Sequence, residues 1–392
     1  MEKNKMPFDT VYADYASSTP ISESAYNAMC ESARFFFGNP SSLHRTGQAA
    51  HELVEEARKN AALLLGCEPE EVIFTSGGTE SDNLAIKSGY LFGKKIRGSH
   101  LVVTSEIEHP AVLRTVESLI ESGSDNILIP SAPNGRTDVR MIEKTLREHG
   151  GAALVSLMYA NNETGIIQPV KEAAKAAHTA GALFHCDAVQ GAGHLMPGVR
   201  EFGCDLLSVS GHKLHAPKGI GALYVKKGLP IEPIICGGGQ ERGIRSGTES
   251  VPLIAAFGEA CLEAYKRRAE DDACIREMRD YIAEELAKTA DSKINTDISN
   301  SLPGILNISF GGVGGEELTL LCDLKGVEIS SGSACSAGHE KASHVLTSMR
   351  VPERYIVGAI RISIGRYTTR GECEKIINTV RDCVKLIRGG EK

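Results

Sequence analysis

With 392 residues, 42% of them hydrophobic, the chain carries enough apolar material for two or three domains of roughly 150 residues each. A formal net charge of −7 leaves no basic footprint for nucleic acid or an anionic membrane, so small molecules and proteins are the expected partners. No apolar run approaches the roughly 18 residues that span a bilayer, Met1 to Val11 lacks a signal-peptide core, and eleven scattered cysteines include no C-x-x-C pair; the expectation is a cytoplasmic protein with no membrane segment, disulfide framework or zinc site.

Residues 11–20 read as a short strand running into a polar loop. A helix over 22–36, the loop Gly38-Asn39-Pro40-Ser41-Ser42 and an amphipathic helix over 47–65 closed by Gly66 follow. Strands at 72–75, 101–104, 154–158, 183–186, 206–209 and 222–225 then alternate with helices at 80–90, 111–121 and 170–180. This alternation predicts an α/β fold with a mostly parallel central sheet covered on both faces. A charge-laced helical pattern over 259–290 bridges to a smaller α+β unit, with strands at 305–310, 327–329 and 360–364 and helices near 315–324, 343–349 and 370–388. The expected division is a large domain over 18–260 and a small one made of 1–17 and 261–392.

Ser208-Val209-Ser210-Gly211-His212-Lys213 puts a lysine at the carboxyl end of an apolar strand, where open α/β sheets hold ligands. Alone it is as readily a surface cation. An earlier apolar strand, Leu183 to Cys186, runs into the carboxylate of Asp187. A strand-end lysine and a strand-end aspartate facing each other across a flat ring suit pyridoxal phosphate, with Lys213 as Schiff-base partner and Asp187 on the pyridinium nitrogen. In Ser76-Gly77-Gly78-Thr79 the glycines let backbone approach an anion at a helix start; with Ser210 and His212 it forms a candidate phosphate cup, although an ordinary capped turn has the same text. His109 follows another strand and could stack on a flat cofactor or simply open a helix. Asn161-Asn162-Glu163-Thr164-Gly165 is a polar turn in the same layer. The segment from Gly237 to Thr248 reads either as a flexible charged loop or as an anion-binding one that reaches a partner subunit. Cys335 lies among small polar residues and glycines, a nucleophile candidate beside the simpler reading of a surface thiol, with His339 close in sequence.

Taken in order, Ser76-Gly77-Gly78-Thr79-Glu80-Ser81, Glu108-His109, Asn161-Asn162-Glu163-Thr164-Gly165, Asp187-Ala188-Val189-Gln190, Ser210-Gly211-His212-Lys213, Arg245-Ser246-Gly247-Thr248 and Ser331-Gly332-Ser333-Ala334-Cys335 resemble the cysteine desulfurases. These are pyridoxal-phosphate enzymes of fold type I in the class V aminotransferase group. The resemblance runs from about Tyr12 to Arg366 and is carried by the ordered set, not by any one motif.

It implies that Lys213 bonds the cofactor, that Asp187 partners its ring nitrogen and that His109 stacks on the ring and handles protons. Gln190 would bond the ring hydroxyl, while Gly78, Thr79, Ser210 and His212 would hold the phosphate, with Thr248 supplied by the other subunit of a homodimer. Arg361 would clamp the substrate carboxylate with help from Asn161 and Asn39. The implied reaction takes L-cysteine to L-alanine and leaves sulfur as a persulfide on Cys335 for an acceptor protein such as an iron–sulfur scaffold. No metal is implied. A selenocysteine lyase or another class V enzyme would share Lys213 and Asp187, but Cys335 is superfluous to a transaminase; an intact Lys213 disfavours a non-catalytic sulfur carrier. Ala342 stands where the family often has proline. The end at Lys392, without the longer scaffold-docking tail of the housekeeping iron–sulfur branch, brings the resemblance nearer the nitrogen-fixation type.

Overall fold

In the computed structural model, which describes residues 9–331 and 342–389, a two-residue strand β1 (Val11–Tyr12) precedes helices α1 (Glu23–Phe35) and α2 (Arg45–Leu65). Ala50, Val54, Ala57, Ala61 and Leu64 give α2 a buried face at helical spacing, and Gly66 ends it in the left-handed conformation. Strand–helix pairs follow: β2 (Val72–Thr75) with α3 (Gly78–Arg97), β3 (Leu101–Ser105) with α4 (Pro110–Ser118), and β4 (Asp125–Ile129) with α5 (Val139–Glu148). Then come β5 (Leu154–Ser156), α6 (Val170–Thr179), β6 (Leu183–Asp187), α7 (Val199–Phe202), β7 (Leu206–Ser210) and β8 (Gly221–Val225).

Among the described residues these strands form one seven-stranded sheet in the order β2-β8-β7-β6-β5-β3-β4. Neighbours from β7 to β4 pair in parallel; β8 is antiparallel to both β7 and β2. The sheet is therefore mostly parallel, as the alternation predicts, and the carboxyl ends of every strand but β8 share one edge. Helices cover both faces, so β2, β3, β5 and β7 are buried throughout.

The 37-residue α8 (Val251–Ala287) crosses from this core to the next. Ile254, Phe257 and Cys261 pack in the cluster that contains α2 and the sheet, whereas Ile275, Ile282 and Leu286 belong to a second apolar cluster. After α8 come β9 (Ser292–Ile294), β10 (Ile305–Phe310), α9 (Gly315–Leu324), β11 (Val327–Glu328), β12 (Ser330–Ser331), α10 (His344–Ser348), α11 (Glu353–Ile356), β13 (Ala359–Ser363) and α12 (Arg370–Gly389); α10 and α11 pack in a separate cluster with Ile107, Met158 and Ile166, and the others surround the second. An antiparallel sheet runs β12-β13-β10-β9, and β1 pairs in parallel with β11.

Several elements differ from the sequence reading. β4 and α5 were not anticipated: β4 is a half-exposed edge strand preceded by turn residues, and α5 buries only Ile142 and Leu146. α8 begins eight residues before the expected 259, because Pro252 sits in its first turn, where proline costs no hydrogen bond.

Candidate active site

The connections leaving β2, β3, β5, β6 and β7 surround a cavity of about 340 Å³ at the shared strand edge. Lys213, Asp187, His109, Gln190, Gly78, Thr79, Ser210, His212 and Arg361 all line it. The geometry of each follows from the element that delivers it.

Asp187 is the last residue of β6 and is buried. Its Oδ1 accepts the Val189 N–H at 2.9 Å. Burial raises its carboxyl to about 6, against the opposing pull of the Val189 N–H and of Lys213. Beyond the end of β7, the 3-10 turn Gly211–Lys213 carries the lysine over the strand ends. Lys213 Nζ donates to the Ala16 carbonyl at 2.5 Å and to that of Ser17 at 2.9 Å, and Gln190 Nε2 donates to the same Ala16 oxygen at 3.0 Å. The segment following β1 is thus pinned against the lysine.

His109 caps α4, its Nδ1 accepting the Ala111 N–H at 3.1 Å. That bond leaves Nε2 as the protonated nitrogen of a neutral ring. Burial first, then the positive charge of Lys213, push its pKa down to about 4.

The start of α3 forms the anion cradle. Gly77 adopts φ +150°, a region that L side chains rarely enter, and a Cβ on Gly78 would lie 2.7 Å from Val189 Cγ2. The first N–H groups of this 20-residue helix consequently approach the ends of β6 and β7 closely, with Thr79, Ser210 and His212 on the same wall. Burial, with Lys213 and Lys218 adding to it, lowers His212 to about 4, so it faces the cradle neutral.

Arg361 arrives from β13, in the second sheet. Its Nη1 donates to the Asn162 carbonyl at 2.8 Å, and its Nη2 to Asp14 Oδ1 at 2.8 Å and Ser17 Oγ at 2.7 Å. Its Nε is buried without a hydrogen-bond partner among the described residues, as is Asp82 Oδ1 elsewhere on the cavity wall. A primary amine, a buried carboxylate, a neutral imidazole and a cradle of N–H donors fit pyridoxal phosphate, and the orphaned guanidinium N–H fits a substrate carboxylate.

Three sequence candidates lie off the cavity wall. Asn161 is fully buried: its Nδ2 donates to the Ile107 carbonyl at 2.9 Å, and its Oδ1 accepts the Glu163 and Thr164 N–H groups, each at 2.9 Å. It organises the turn, and the neighbouring Asn162 is the residue that lines the cavity. Asn39 is exposed, its Oδ1 accepting the Ser41 N–H at 2.9 Å, and Thr248 is exposed too. Cys335 and His339 lie outside the described residues. Sequence reasoning missed Asp82 and Asn162. The signal for Asp82 is its place one helical turn after Gly78, on the face that meets the cradle.

Residues 11–376 match the model of the family described as Aminotransferase class-V. A cysteine desulfurase IscS of Dictyoglomus turgidum is 41% identical over 379 residues, which cover 96% of this chain and 95% of that protein. A solved NifS-like protein superposes with a TM-score of 0.89 at 34% identity, covering 96% of this chain and 100% of the other. The structure of SspA in complex with cysteine superposes with a TM-score of 0.80 at 32% identity, covering 92% and 100%.

Proposed function

The chain belongs to the class-V aminotransferase family and is a pyridoxal-phosphate-dependent cysteine desulfurase, and from that premise we propose which of its residues perform the reaction and where the sulfur goes. The observation that carries the assignment is the convergence of Lys213, Asp187, His109 and Arg361 on one cavity. Bound pyridoxal phosphate supplies an electron sink for bond breaking at the substrate's α carbon.

Lys213 holds the cofactor through its amine and Asp187 offers its carboxylate to the ring nitrogen. The α3 start, Thr79, Ser210 and His212 hold the phosphate, and Gln190 orients the ring. Arg361, fixed by Asp14, Ser17 and the Asn162 carbonyl, presents its Nε to the carboxylate of L-cysteine. Asn161 supports that surface by holding the turn that carries Asn162. His109, neutral at physiological pH, is able both to accept a proton and to return one at the substrate. The Cys335 thiolate attacks the substrate sulfur: a sulfur–sulfur bond forms, the substrate's carbon–sulfur bond breaks, and the electron pair stays with the carbon skeleton, which leaves as L-alanine after protonation. The cysteine bound in the SspA structure supports this substrate choice.

The persulfide then serves an acceptor protein, and the IscS name of the D. turgidum relative favours an iron–sulfur scaffold. A homodimer is part of the same proposal: Phe35, Phe37 and Leu43, beside Asn39, are 60%, 78% and 93% exposed, a surface suited to a second copy that would also receive Thr248. The two apolar clusters met by α8 favour a large domain over 18–260 and a small one made of 1–17 and 261–392. No helix among the described residues is long and apolar enough to cross a membrane, and the ten described cysteines are free thiols, which favours a cytoplasmic setting.

The test is product analysis. The protein loaded with pyridoxal phosphate is expected to convert L-cysteine to alanine, with equal sulfide released by a reductant over many turnovers. Cys335→Ser should keep the visible cofactor band and form no persulfide. Wild-type sulfur transfer by that variant would overturn the role given to Cys335.

A further inference from the structure

Asp82 lies on α3 and lines the same cavity as Asp187. It is 1% exposed, and its Oδ1 has no hydrogen-bond partner among the described residues. His185 Nε2 is 3.6 Å from that oxygen, but the ring is committed elsewhere: Nδ1 pairs with Ser156 Oγ at 2.8 Å and Nε2 with Ser208 Oγ at 3.0 Å. Burial holds His185 down to about 3, so it is a neutral link between two hydroxyls and no counter-ion.

The other groups facing Asp82 are unfavourable to a second negative charge. Asp187, from β6, is itself a carboxylate, and Glu108, from the β3–α4 connection, adds negative potential only where it ionises, its own carboxyl being raised by burial to about 8. Ser208, from β7, is within hydrogen-bond reach and partly opposes them. Lys213 acts on Asp187, whose carboxyl it pulls down. Burial and the Asp187 charge together hold the Asp82 carboxyl well above its ordinary range. Two buried, interacting carboxyls share a proton before both ionise.

We propose that Asp82 is a positioning residue that stays a neutral carboxylic acid beside the ring site, so that Asp187 is the single anion offered to the cofactor's ring nitrogen. Its O–H is donated to Ser208, which closes the chain Asp82–Ser208–His185–Ser156 behind β6 and fixes the surroundings of Asp187. An ionised Asp82 would put a second buried negative charge in the cavity and alter the proton affinity of everything that faces it. The inference rests on reading the cavity as the cofactor site.

The test compares wild type, Asp82→Asn and Asp82→Val, each as apoprotein and after addition of pyridoxal phosphate. A visible cofactor band in the wild type tests the site itself, separately from Asp82. In the infrared difference between apo wild type and apo Asp82→Asn at pH 7, the wild type should show the carbonyl stretch of a protonated carboxyl; a carboxylate band in its place overturns the proposal whether or not cofactor binds. For pyridoxal phosphate affinity, Asp82→Asn should stay within about 2-fold of wild type, and Asp82→Val, which has no donor, should bind about 10-fold more weakly, the effect of one lost buried hydrogen bond. Equal weakening in both variants would mean that the charge is what the site uses. No weakening in either would mean that Asp82 does not act through Asp187. Either result overturns the proposal, and the infrared arm on the isosteric Asp82→Asn decides it if Asp82→Val does not fold.

Discussion

Arg58 and Glu241, 183 positions apart in the chain, meet inside the protein as a bidentate ion pair, with Nη2 2.7 Å from Oε1 and Nη1 2.9 Å from Oε2. Glu241 also accepts the Phe74 N–H at 2.7 Å, and the Arg58 guanidinium lies 4.7 Å from the Phe74 ring centroid. The pair ties the segment that carries Arg245 and Thr248 to α2 and β2. It also holds Glu241 and Arg242 at φ +47° and +60°, left-handed conformations that non-glycine residues adopt only when their surroundings demand it.

Glu241→Ala should therefore leave the buried Arg58 guanidinium with Glu55, 3.0 Å from its Nε, as its remaining carboxylate partner, and cost about 3–5 kcal/mol. The double variant Arg58→Met/Glu241→Leu removes both charges and should cost much less. Urea denaturation of the two proteins checks this, and equal losses would mean that the backbone strain, not the buried charge, dominates.

Glu163 links the turn after β5 to the N-cap of α10, its Oε2 accepting the Ser343 hydroxyl at 2.5 Å. Burial raises this carboxyl from 4.5 to about 7, and burial likewise raises Glu108 from 4.5 to about 8. Each carboxyl binds its proton more tightly in the folded state. Its stabilising contribution is therefore fully present below pH 4.5 and lost as pH rises, through about 7 for Glu163 and about 8 for Glu108. The buried histidines act oppositely. His109, His185, His212 and His215, with pKa values pushed down from 6.5, lose stability as pH falls below 6.5 and contribute no slope above it. Between pH 6.5 and 8 the urea midpoint should fall with pH by an amount equivalent to on the order of 1–3 kcal/mol, and Glu108→Gln should flatten that slope. An unchanged slope in the variant would assign it to other groups.

The strand-end motifs were legible because each is an apolar run followed at once by a polar or glycine-bearing turn, a pattern that places its residues without three-dimensional information. Lys213, Asp187, His109 and the Gly78-Thr79 turn all belong to that class, and all line one cavity. The long connections were less legible. Asn161 and Asn162 are neighbours of identical chemistry, and only the turn geometry decides which one faces the cavity. Asp82 was hidden because a carboxylate in a capped helix reads as a solvated residue until the packing of α3 on β6 and β7 buries it. Arg361 was found through resemblance alone; nothing in its strand text marks its Nε as the unpaired donor, because that depends on Asp14 and Ser17, more than 340 residues away in sequence.

For His109 the structure gives a spectroscopic expectation. With its Nδ1 bonded to the Ala111 N–H and its pKa pushed down to about 4, the ring in the cofactor-free protein should titrate well below the usual 6.5 in a histidine NMR titration. His109→Gln should keep the visible cofactor band and lower kcat by about 100-fold or more, the usual worth of a positioned proton-transfer group. A variant with near-wild-type kcat would reduce His109 to a helix cap.

Arg361 has three donations fixed within the protein, to Asn162, Asp14 and Ser17, and of its five N–H groups the one on Nε and a second on Nη1 are left over. A guanidinium alone has the fork that spans these acceptors and still keeps donors to spare at the cavity wall; an ammonium on a flexible stem keeps the charge and loses the fork. Arg361→Lys should therefore raise KM for L-cysteine by about 10- to 100-fold, in line with 1.5–3 kcal/mol for a hydrogen bond to a charged group, while kcat changes less. Asp14→Asn, which weakens the fixing of Nη2 but leaves the guanidinium in place, should raise KM by a smaller factor. Steady-state kinetics on both variants make the comparison. If Arg361→Lys instead lowers kcat with KM unchanged, the arginine acts on the reacting atoms and not as the carboxylate clamp.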